Sequence, residues 1–288
     1  MTGANSVLLG ADAEWLGIQV GSPGGLVTIG GASTLSLAGS GINMGSSAGE
    51  NLQLDSAVAL TANQTWSLGA GRTITVDGDL GLAATTLNFN MAGTTTINGL
   101  VSGTATGNAL FISNNSGSGR VVLTNASNAF AGTIEFSNSG SQILEYTSAG
   151  ALGAATQIRF RNTGGTIGDG SVLLYTGTTD ETVTQQLQCD TSIGMRLRSD
   201  SVGGSVTFNG GFSQSNRNLY LEGSGTGANA LASGFAGTGS LNKRDAGTWV
   251  VSSSASNSGS AGFVVSWPEA CPAQVISNTH AIRQILVL

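Results

Sequence analysis

The feature that most constrains the fold is a set of three short runs, each alternating apolar and polar residues, that recurs every 21 to 25 residues. Alternation of this kind over a few residues is typical of a half-buried β-strand. Three successive sets start at Val27, Leu35 and Ile42; Leu52, Val58 and Trp66; and Ile74, Leu80 and Leu87, and a looser fourth set starts at Thr95, Leu100 and Leu110. Three strands in each repeat of about 22 residues predict an all-β fold, a single-stranded parallel β-helix (β-solenoid) that we expect to be right-handed.

Stacking of the repeats determines which residues should be neighbours. Parallel strands of successive coils lie about 4.8 Å apart, and their inward side chains form columns along the axis. The expected neighbours are Leu52 with Ile74, Ile74 with Thr95, Val58 with Leu80, and Trp66 with Leu87. The aromatic residues expected to face inward are Trp66, Phe89, Phe111 and Phe136. A sandwich or an antiparallel barrel is the alternative, but its strands would not recur as triplets at a fixed period.

The composition agrees with stacked coils and argues against several other classes of protein. Glycine accounts for 45 of the 288 residues, which suits sharp corners, whereas charged residues make up only 9%. Like charges in neighbouring coils would repel each other, so a low charge content is expected of such a stack. A hydrophobic content of 40% argues against a disordered chain. The net charge of −6 argues against nucleic acid as a partner, because phosphate binding requires a basic surface.

The end of the chain differs in composition from the rest. We expect the β-solenoid to span residues 1–262, with about 12 coils in a rod of about 55–60 Å. Its period becomes less regular after residue 115. Residues 263–288 contain no glycine but hold two of the three prolines, Cys271 and the only histidine, His280. This segment is either a cap that covers the open end of the solenoid or an aberrant tail translated out of frame.

Acidic residues at equivalent positions of successive coils are the candidates for a site. Asp55 and Asp77 each follow the first strand of a coil, and Asn98 occupies the same position one coil later. Asp79 lies two residues beyond Asp77. Aligned oxygen ligands could bind calcium or a glycan, but aspartate or asparagine followed by glycine is also a common turn dipeptide. We favour turn formation and predict no metal ion, no cofactor and no catalytic residue, with calcium or a glycan at this edge as the alternative.

Two later segments carry paired arginines. Residues 159–161 and 196–198 each place two arginines on one face of a strand, around an inward apolar residue. A solvated outer face is the default interpretation, and a cationic ridge for acidic glycans is the alternative. A Ser/His/Asp triad is not expected, because the only histidine, His280, lies in the atypical tail.

Residues 119–136 follow a recognisable order. A glycine and an apolar strand lead to Leu123 and Thr124, and then Asn128, Phe130 and Gly132 precede a second strand. This order resembles the autotransporter-associated β-strand repeat, in which an Asn-x-aromatic-x-Gly string links the two strands. Residues 241–262 resemble the opening of the same repeat, with a lysine in the first strand and a tryptophan in the second.

The second segment departs from the repeat in two places. Asp245 and Ala246 stand where glycine is common, and the expected Asn-x-aromatic-x-Gly string is reduced to asparagine, serine and glycine at 257–259. The family has no shared catalytic residues that could be assigned to this chain.

The resemblance implies a passenger-like segment of a secreted or surface-displayed bacterial protein. We therefore expect a monomeric, non-enzymatic stalk or adhesin, with glycans or neighbouring cell surfaces as partners. A polysaccharide lyase or glycoside hydrolase on the same fold, or a phage tail-fibre module, is the alternative. No apolar run approaches the roughly 20 residues that span a bilayer, so we expect no membrane insertion by this segment. Residues 1–10 lack the basic and apolar regions of a signal peptide.

Overall fold

The structure is a computed structural model that describes residues 5–45, 49–113, 119–137, 141–161, 170–190, 194–214, 218–233, 239–251, 263–265 and 286–287. Over these residues the chain is all-β, with one 3-10 turn at Ala149–Leu152 and no α-helix. The strands of the first six coils are β1 (Asn5–Leu8), β2 (Ala13–Gln19), β3 (Val27–Gly30), β4 (Leu35–Met44), β5 (Leu52–Leu54), β6 (Val58–Leu60), β7 (Gln64–Leu68), β8 (Thr73–Val76), β9 (Leu80–Gly81), β10 (Leu87–Met91), β11 (Thr94–Ile97), β12 (Val101–Ser113), β13 (Arg120–Leu123) and β14 (Ala129–Ser137). The later strands are β15 (Ile143–Tyr146), β16 (Ala154–Arg161), β17 (Val172–Tyr175), β18 (Glu181–Val183), β19 (Gln186–Cys189), β20 (Met195–Ser199), β21 (Val206–Phe208), β22 (Phe212–Gln214), β23 (Leu219–Glu222), β24 (Asn229–Leu231), β25 (Leu241–Lys243), β26 (Trp249–Val251), β27 (Phe263–Val265) and β28 (Leu286–Val287).

The strands stack into three sheets, which we name faces A, B and C. Face A takes one strand from each coil, in the order β1-β3-β5-β8-β11-β13-β15-β17-β20-β23-β25-β27. Face B contains β2, β4, β6, β7, β9, β10, β12, β14, β16, β19 and β22, and face C contains β18, β21, β24, β26 and β28. Within the described residues every pairing is parallel except the one between β26 and β28. The predicted all-β parallel β-solenoid is therefore confirmed.

Among the described residues, several coils contribute three strands, as with β5, β6 and β7, in agreement with the period. Where strands are long, one strand turns a corner and serves two positions on face B. The first part of β4 pairs with β6, and its second part pairs with β7. Gly41 makes this corner possible, because it has φ +62° and an added Cβ would lie 2.1 Å from the carbonyl oxygen of Thr65. No side chain larger than hydrogen fits there.

The expected register is correct on face A and wrong at one place on face B. Leu52 pairs with Ile74, Ile74 with Thr95, and Val58 with Leu80. Trp66, however, pairs with Phe89, whereas Leu87 pairs with Gln64. The reason is that β7 begins with a buried glutamine. The side chain of Gln64 donates to the carbonyl oxygen of Leu37 (3.1 Å) and accepts from the indole N–H of Trp66 (3.0 Å).

Aromatic residues fill much of the interior, and one of the four predicted to face inward does not. Trp66 contacts Phe89 edge to face, with ring centroids 5.9 Å apart, and Phe136 stacks on Phe160 at 4.6 Å. Phe111 instead pairs with Asn88 and Glu135 in an outward column and is only half-buried. The buried side chains form one cluster that runs from Leu9 to Val251.

Two buried asparagines join three coils each. The side chain of Asn128 accepts from the N–H of Val101 in the preceding coil (2.8 Å) and donates to the carbonyl oxygen of Ala151 in the following coil (2.8 Å). Asn229 makes the equivalent pair of bonds, to Val206 and Thr248. These asparagines satisfy backbone groups that would otherwise be unpaired at the buried corner.

The C-terminal segment lies mostly outside the described residues. Phe263–Val265 extends face A as its last strand, and Leu286–Val287 lies antiparallel to β26 on face C. Cys271, His280 and both late prolines fall outside the described ranges. The choice between a cap and an aberrant tail stays a prediction.

Candidate functional site

The structure brings Asp55, Asp77 and Asn98 together at one edge of face A. The backbone N–H of each residue donates to the end of the strand one coil earlier, at 2.8 Å in all three cases. The three residues therefore occupy equivalent corners of successive coils, as the sequence repeat predicts. Their side chains are exposed along the outside of the stack.

Amide and hydroxyl groups connect these side chains into a polar ladder. The amide of Gln53 donates to Asp55 Oδ1 (2.8 Å) and to Asp77 Oδ2 (3.2 Å). The amide of Asn98 donates to Asp77 Oδ1 (2.7 Å), and its own oxygen accepts from the hydroxyl of Thr124 (2.8 Å). Both carboxylate oxygens of Asp77 are thus engaged by neutral donors of neighbouring coils. We define these five residues as the edge ladder.

Asp79 has a different role from the other candidates. Its Oδ1 accepts from the backbone N–H of Leu100 at 3.0 Å and so closes the next coil. The glycines that follow Asp77 and Asn98 are required for close approach between coils. An added Cβ at Gly78 would lie 2.1 Å from the carbonyl oxygen of Ser56, and one at Gly99 would lie 2.0 Å from that of Gly78. Asp77, Asp79 and Asn98 therefore all take part in side-chain hydrogen bonds between coils.

The ladder does not assemble the ligands that a metal ion needs. Calcium takes six to eight oxygens at 2.3–2.6 Å, with several carboxylates around one point. Among the described residues no group of three or more His, Cys, Asp or Glu side chains could hold a metal ion. The two carboxylates of the ladder, Asp55 and Asp77, lie in successive coils and accept hydrogen bonds from neutral side chains.

One charged cluster centres on Glu222, which the sequence did not single out. Its side chain is 2% exposed and contacts Arg196 and Arg244. Arg196 donates to both carboxylate oxygens, with its shortest contact at 2.7 Å, and Arg244 donates at 3.3 Å. Arg244 also lies over the ring of Tyr220, 4.1 Å from its centroid. We name Arg196, Glu222 and Arg244 the Glu222 cluster.

A second cluster links coils on face B. Glu135 is nearly buried and faces Arg159 at 3.8 Å and Arg161 at 3.4 Å. Arg159 also pairs with Asp190 at 2.7 Å in the next coil. Arg159, Arg161 and Arg196 are therefore neutralised by carboxylates of neighbouring coils, and Arg198 pairs with Asp200 of its own coil. This pairing argues against a free cationic ridge at these positions.

Lys243, the lysine of the segment that resembles the autotransporter repeat, is buried. Its Nζ donates to the carbonyl oxygens of Arg244 and Asp245, both at 2.6 Å. Burial lowers the pKa of Lys243, and the nearby charges of Asp245 and Glu222 partly offset this effect. The lysine therefore hydrogen-bonds the backbone of the corner that follows β25, where Asp245 has a positive φ of 59°.

Two tyrosines, at the ends of the face A strands β15 and β17, pack against each other with tilted rings. The rings of Tyr146 and Tyr175 are 5.3 Å apart, and the hydroxyl of Tyr175 donates to the carbonyl oxygen of Thr179. The hydroxyl of Tyr146 is buried and has no hydrogen-bond partner in the described part of the chain. Burial, and then the proximity of Tyr175 and Glu181, raises the pKa of Tyr146 well above its usual range. Burial likewise raises the pKa of Tyr175.

These raised pKa values predict that the protein loses stability at alkaline pH. An acid with a raised pKa in the folded state contributes stability below its unfolded pKa, about 10 for tyrosine, and loses it as pH rises through the folded value. We expect phenolate absorbance from Tyr146 and Tyr175 to appear only together with unfolding. Tyr146→Phe should keep its stability at pH 7 and unfold at a higher pH than the wild type. Unfolding of this variant at the same pH as the wild type would contradict the assignment.

Comparisons with protein-family models, with curated proteins and with solved structures find no match for this chain. Within the described residues, no helix has the length and apolar character needed to cross a membrane.

Proposed function

We propose that this chain is a non-enzymatic β-solenoid of the cell exterior, serving as a stalk or as an adhesive passenger segment. The observation that carries the proposal is the continuity of the stack. One buried cluster extends from Leu9 to Val251 beneath a face A of twelve strands. A solenoid gains length by adding coils, because each coil contacts only its neighbours. That property suits a spacer that holds another domain or surface at a distance.

The placement of charge supports the same proposal. The ion pairs of the Glu222 cluster and of Glu135 join side chains 22 to 26 residues apart, so they connect one coil with the next. The edge ladder connects coils in the same way. These polar groups form hydrogen bonds and ion pairs between successive coils, and so they hold the stack together along its axis. The sequence resemblance to the autotransporter-associated repeat supports an exported, surface-displayed setting for such a stack.

The proposed location is tested on intact cells that express the complete native reading frame. We expect an antibody raised against this chain to label unpermeabilised cells or to detect the protein in the medium. A protease added outside the cells should remove the label, and a cytoplasmic protein measured in the same samples should stay intact. Labelling that requires permeabilisation would contradict the proposal.

The alternative of a polysaccharide lyase or hydrolase predicts turnover that depends on a carboxylate. We expect no release of reducing ends or unsaturated sugars from a panel of acidic and neutral polysaccharides incubated with the chain. Asp77→Asn is the informative variant, because it removes the charge of the best-aligned carboxylate, and Asp190→Asn is its control on another face. Turnover that is lost in Asp77→Asn and kept in Asp190→Asn would contradict the stalk proposal and would support the enzyme alternative.

A further inference from the structure

Two asparagines of the sequence, Asn98 and Asn209, are followed directly by glycine. Asparagine before glycine is the setting in which a side-chain amide is lost most readily, because glycine has no side chain to hinder its own backbone nitrogen. The two dipeptides are identical in sequence and differ in the hydrogen bonds that the fold gives them. The structure therefore bears on which of the two can react.

The reaction requires the glycine nitrogen and the asparagine amide to be free. The backbone nitrogen of the glycine loses its proton to water or hydroxide and attacks Cγ of the asparagine. A new C–N bond closes a cyclic imide, and the side-chain nitrogen leaves as ammonia. Water then opens the ring at either carbonyl group and gives aspartate or isoaspartate. A hydrogen bond that holds either reacting group opposes ring closure, because it must break first.

Both reacting groups of the dipeptide at Asn98 are held by neighbouring coils. The side-chain amide of Asn98 donates to Asp77 Oδ1 (2.7 Å), and its oxygen accepts from the hydroxyl of Thr124 (2.8 Å). The backbone N–H of Gly99 donates to the carbonyl oxygen of Val76 at 3.2 Å. Three hydrogen bonds must therefore open before the ring can close at Asn98.

The dipeptide at Asn209 lacks these restraints. Asn209 is exposed at the corner between β21 on face C and β22 on face B, and its backbone N–H donates to the carbonyl oxygen of Val183 at 2.9 Å. Within the described residues the Asn209 side chain has no hydrogen-bond partner, and neither has the N–H of Gly210. An added Cβ at the next residue, Gly211, would have no heavy atom within 4 Å. The attacking nitrogen and the amide are thus both available beside open space.

We infer that Asn209 is a site of spontaneous deamidation in the folded protein, and that hydrogen bonds of the edge ladder and of the neighbouring backbone protect Asn98 from the same reaction. Water is the only co-reactant, and it reaches the exposed corner at Asn209. Because three hydrogen bonds hold the reacting groups at Asn98, we expect its deamidation to be at least about tenfold slower than that of Asn209. The inference does not depend on the proposed surface role.

The products would change the corner between β21 and β22 in different ways. Aspartate adds a negative charge to an exposed position. Isoaspartate also adds one carbon to the backbone directly before Gly210, where an added Cβ would lie 2.1 Å from the carbonyl oxygen of Thr184. We therefore expect isoaspartate to displace Gly210 and to weaken the pairing of β22 with β19, which faster hydrogen exchange in β22 would report.

Peptide mapping of the folded 288-residue chain by mass spectrometry tests the inference. The protein is incubated in mildly alkaline buffer, and each asparagine is followed for the mass increase that accompanies conversion of an amide into an acid. We expect the signal at Asn209 to rise steadily, with isoaspartate detected by enzymatic methylation, while Asn98 stays unmodified over the same period. In denaturant the two sites should react at similar rates, because the hydrogen bonds are lost.

Three variants connect the rates to the hydrogen bonds. Asp77→Ala removes the acceptor of the Asn98 amide, and we expect deamidation at Asn98 to increase several-fold while the rate at Asn209 is unchanged. Asp55→Ala is the matched control, because Asp55 is an exposed ladder carboxylate whose hydrogen bond is with Gln53. Asn209→Gln should abolish the signal from its corner and keep the circular dichroism of the wild type.

Equal rates at Asn98 and Asn209 in the folded chain would overturn the inference, as would a faster reaction at Asn98. Absence of reaction at both sites in the folded chain, with reaction at both in denaturant, would mean that the fold also restrains the corner at Asn209. The same difference between the sites in denaturant would assign it to the sequence. Equal acceleration of Asn98 by Asp55→Ala and Asp77→Ala would contradict protection by the bond to Asp77.

Discussion

Ile74→Asp is expected to unfold the N-terminal coils. Ile74 is fully buried and lies between Leu52 and Thr95 in an inward column of face A. A carboxylate at this position would be removed from water without a partner, and its cost would be above about 4–5 kcal/mol, at the upper end for single substitutions. Native domains are stable by about 5–15 kcal/mol, so little or no folded protein should remain. Circular dichroism and chemical denaturation measure the loss.

Thr75→Asp is the matched control for this substitution. Thr75 is the next residue on the same strand, points to the other face of the sheet and is partly exposed. The same carboxylate would then remain in water, and its effect should be within about 0.5–1 kcal/mol. Equal destabilisation by the two variants would mean that the inward and outward faces have been assigned incorrectly.

Glu222→Ala is expected to be the most destabilising charge removal in the described part of the chain. It takes away the acceptor of the bidentate contact from Arg196 and of the contact from Arg244. Breaking a buried ion pair on one side costs about 3–5 kcal/mol, because the remaining charge is unpaired. The two arginines retain some exposure (19% and 36%), which lets water solvate them in part, so we expect about 3 kcal/mol. A shift of the denaturation midpoint at constant slope measures it.

Asp190→Ala provides the comparison on face B. Asp190 also accepts from an arginine at 2.7 Å, but its side chain is 28% exposed. An exposed pair contributes about 0–1 kcal/mol, so this variant should be close to the wild type in stability. If Asp190→Ala destabilised the protein as much as Glu222→Ala, burial could not explain the strength of the Glu222 cluster.

A double variant, Arg196→Met with Glu222→Leu, should recover much of the stability lost in Glu222→Ala, because it leaves fewer buried charges unpaired.

The accuracy of the sequence-based register depended on the type of residue at the start of each strand. On face A, strands β3, β5, β8 and β11 place aliphatic residues or threonine inward, and the expected partners of Leu52 and Ile74 are correct. On face B the inward column of β7 begins with Gln64, which apolar periodicity does not detect. That glutamine is compatible with the interior only because Trp66 and a carbonyl group of the preceding coil satisfy it. The interpretation failed at this point and placed Trp66 two residues away from its real partner.

The charged clusters were not predictable for a different reason. In the early coils the partners on face A are 21 to 25 residues apart, whereas Ile143 and its partner Val172 are 29 residues apart. Variable corner lengths change which carboxylate meets which arginine. The sequence showed that the arginines at 159–161 and 196–198 share strand faces. It could not indicate that Glu135 lies one coil away from the first pair and Glu222 one coil away from the second.

The sequence by itself determined the repeat, the inward and outward faces of strands β3, β5, β8 and β11, and the edge at which Asp55, Asp77 and Asn98 lie. Those features follow from local alternation and a nearly constant coil length, which are properties of the chain alone. Only the tertiary structure decided that side-chain amides donate to Asp77 and that Glu135 and Glu222 pair with arginines. Each of these contacts is made with a residue of a neighbouring coil. The number of residues between the two partners depends on the length of the corners between them. No local sequence pattern determines that length.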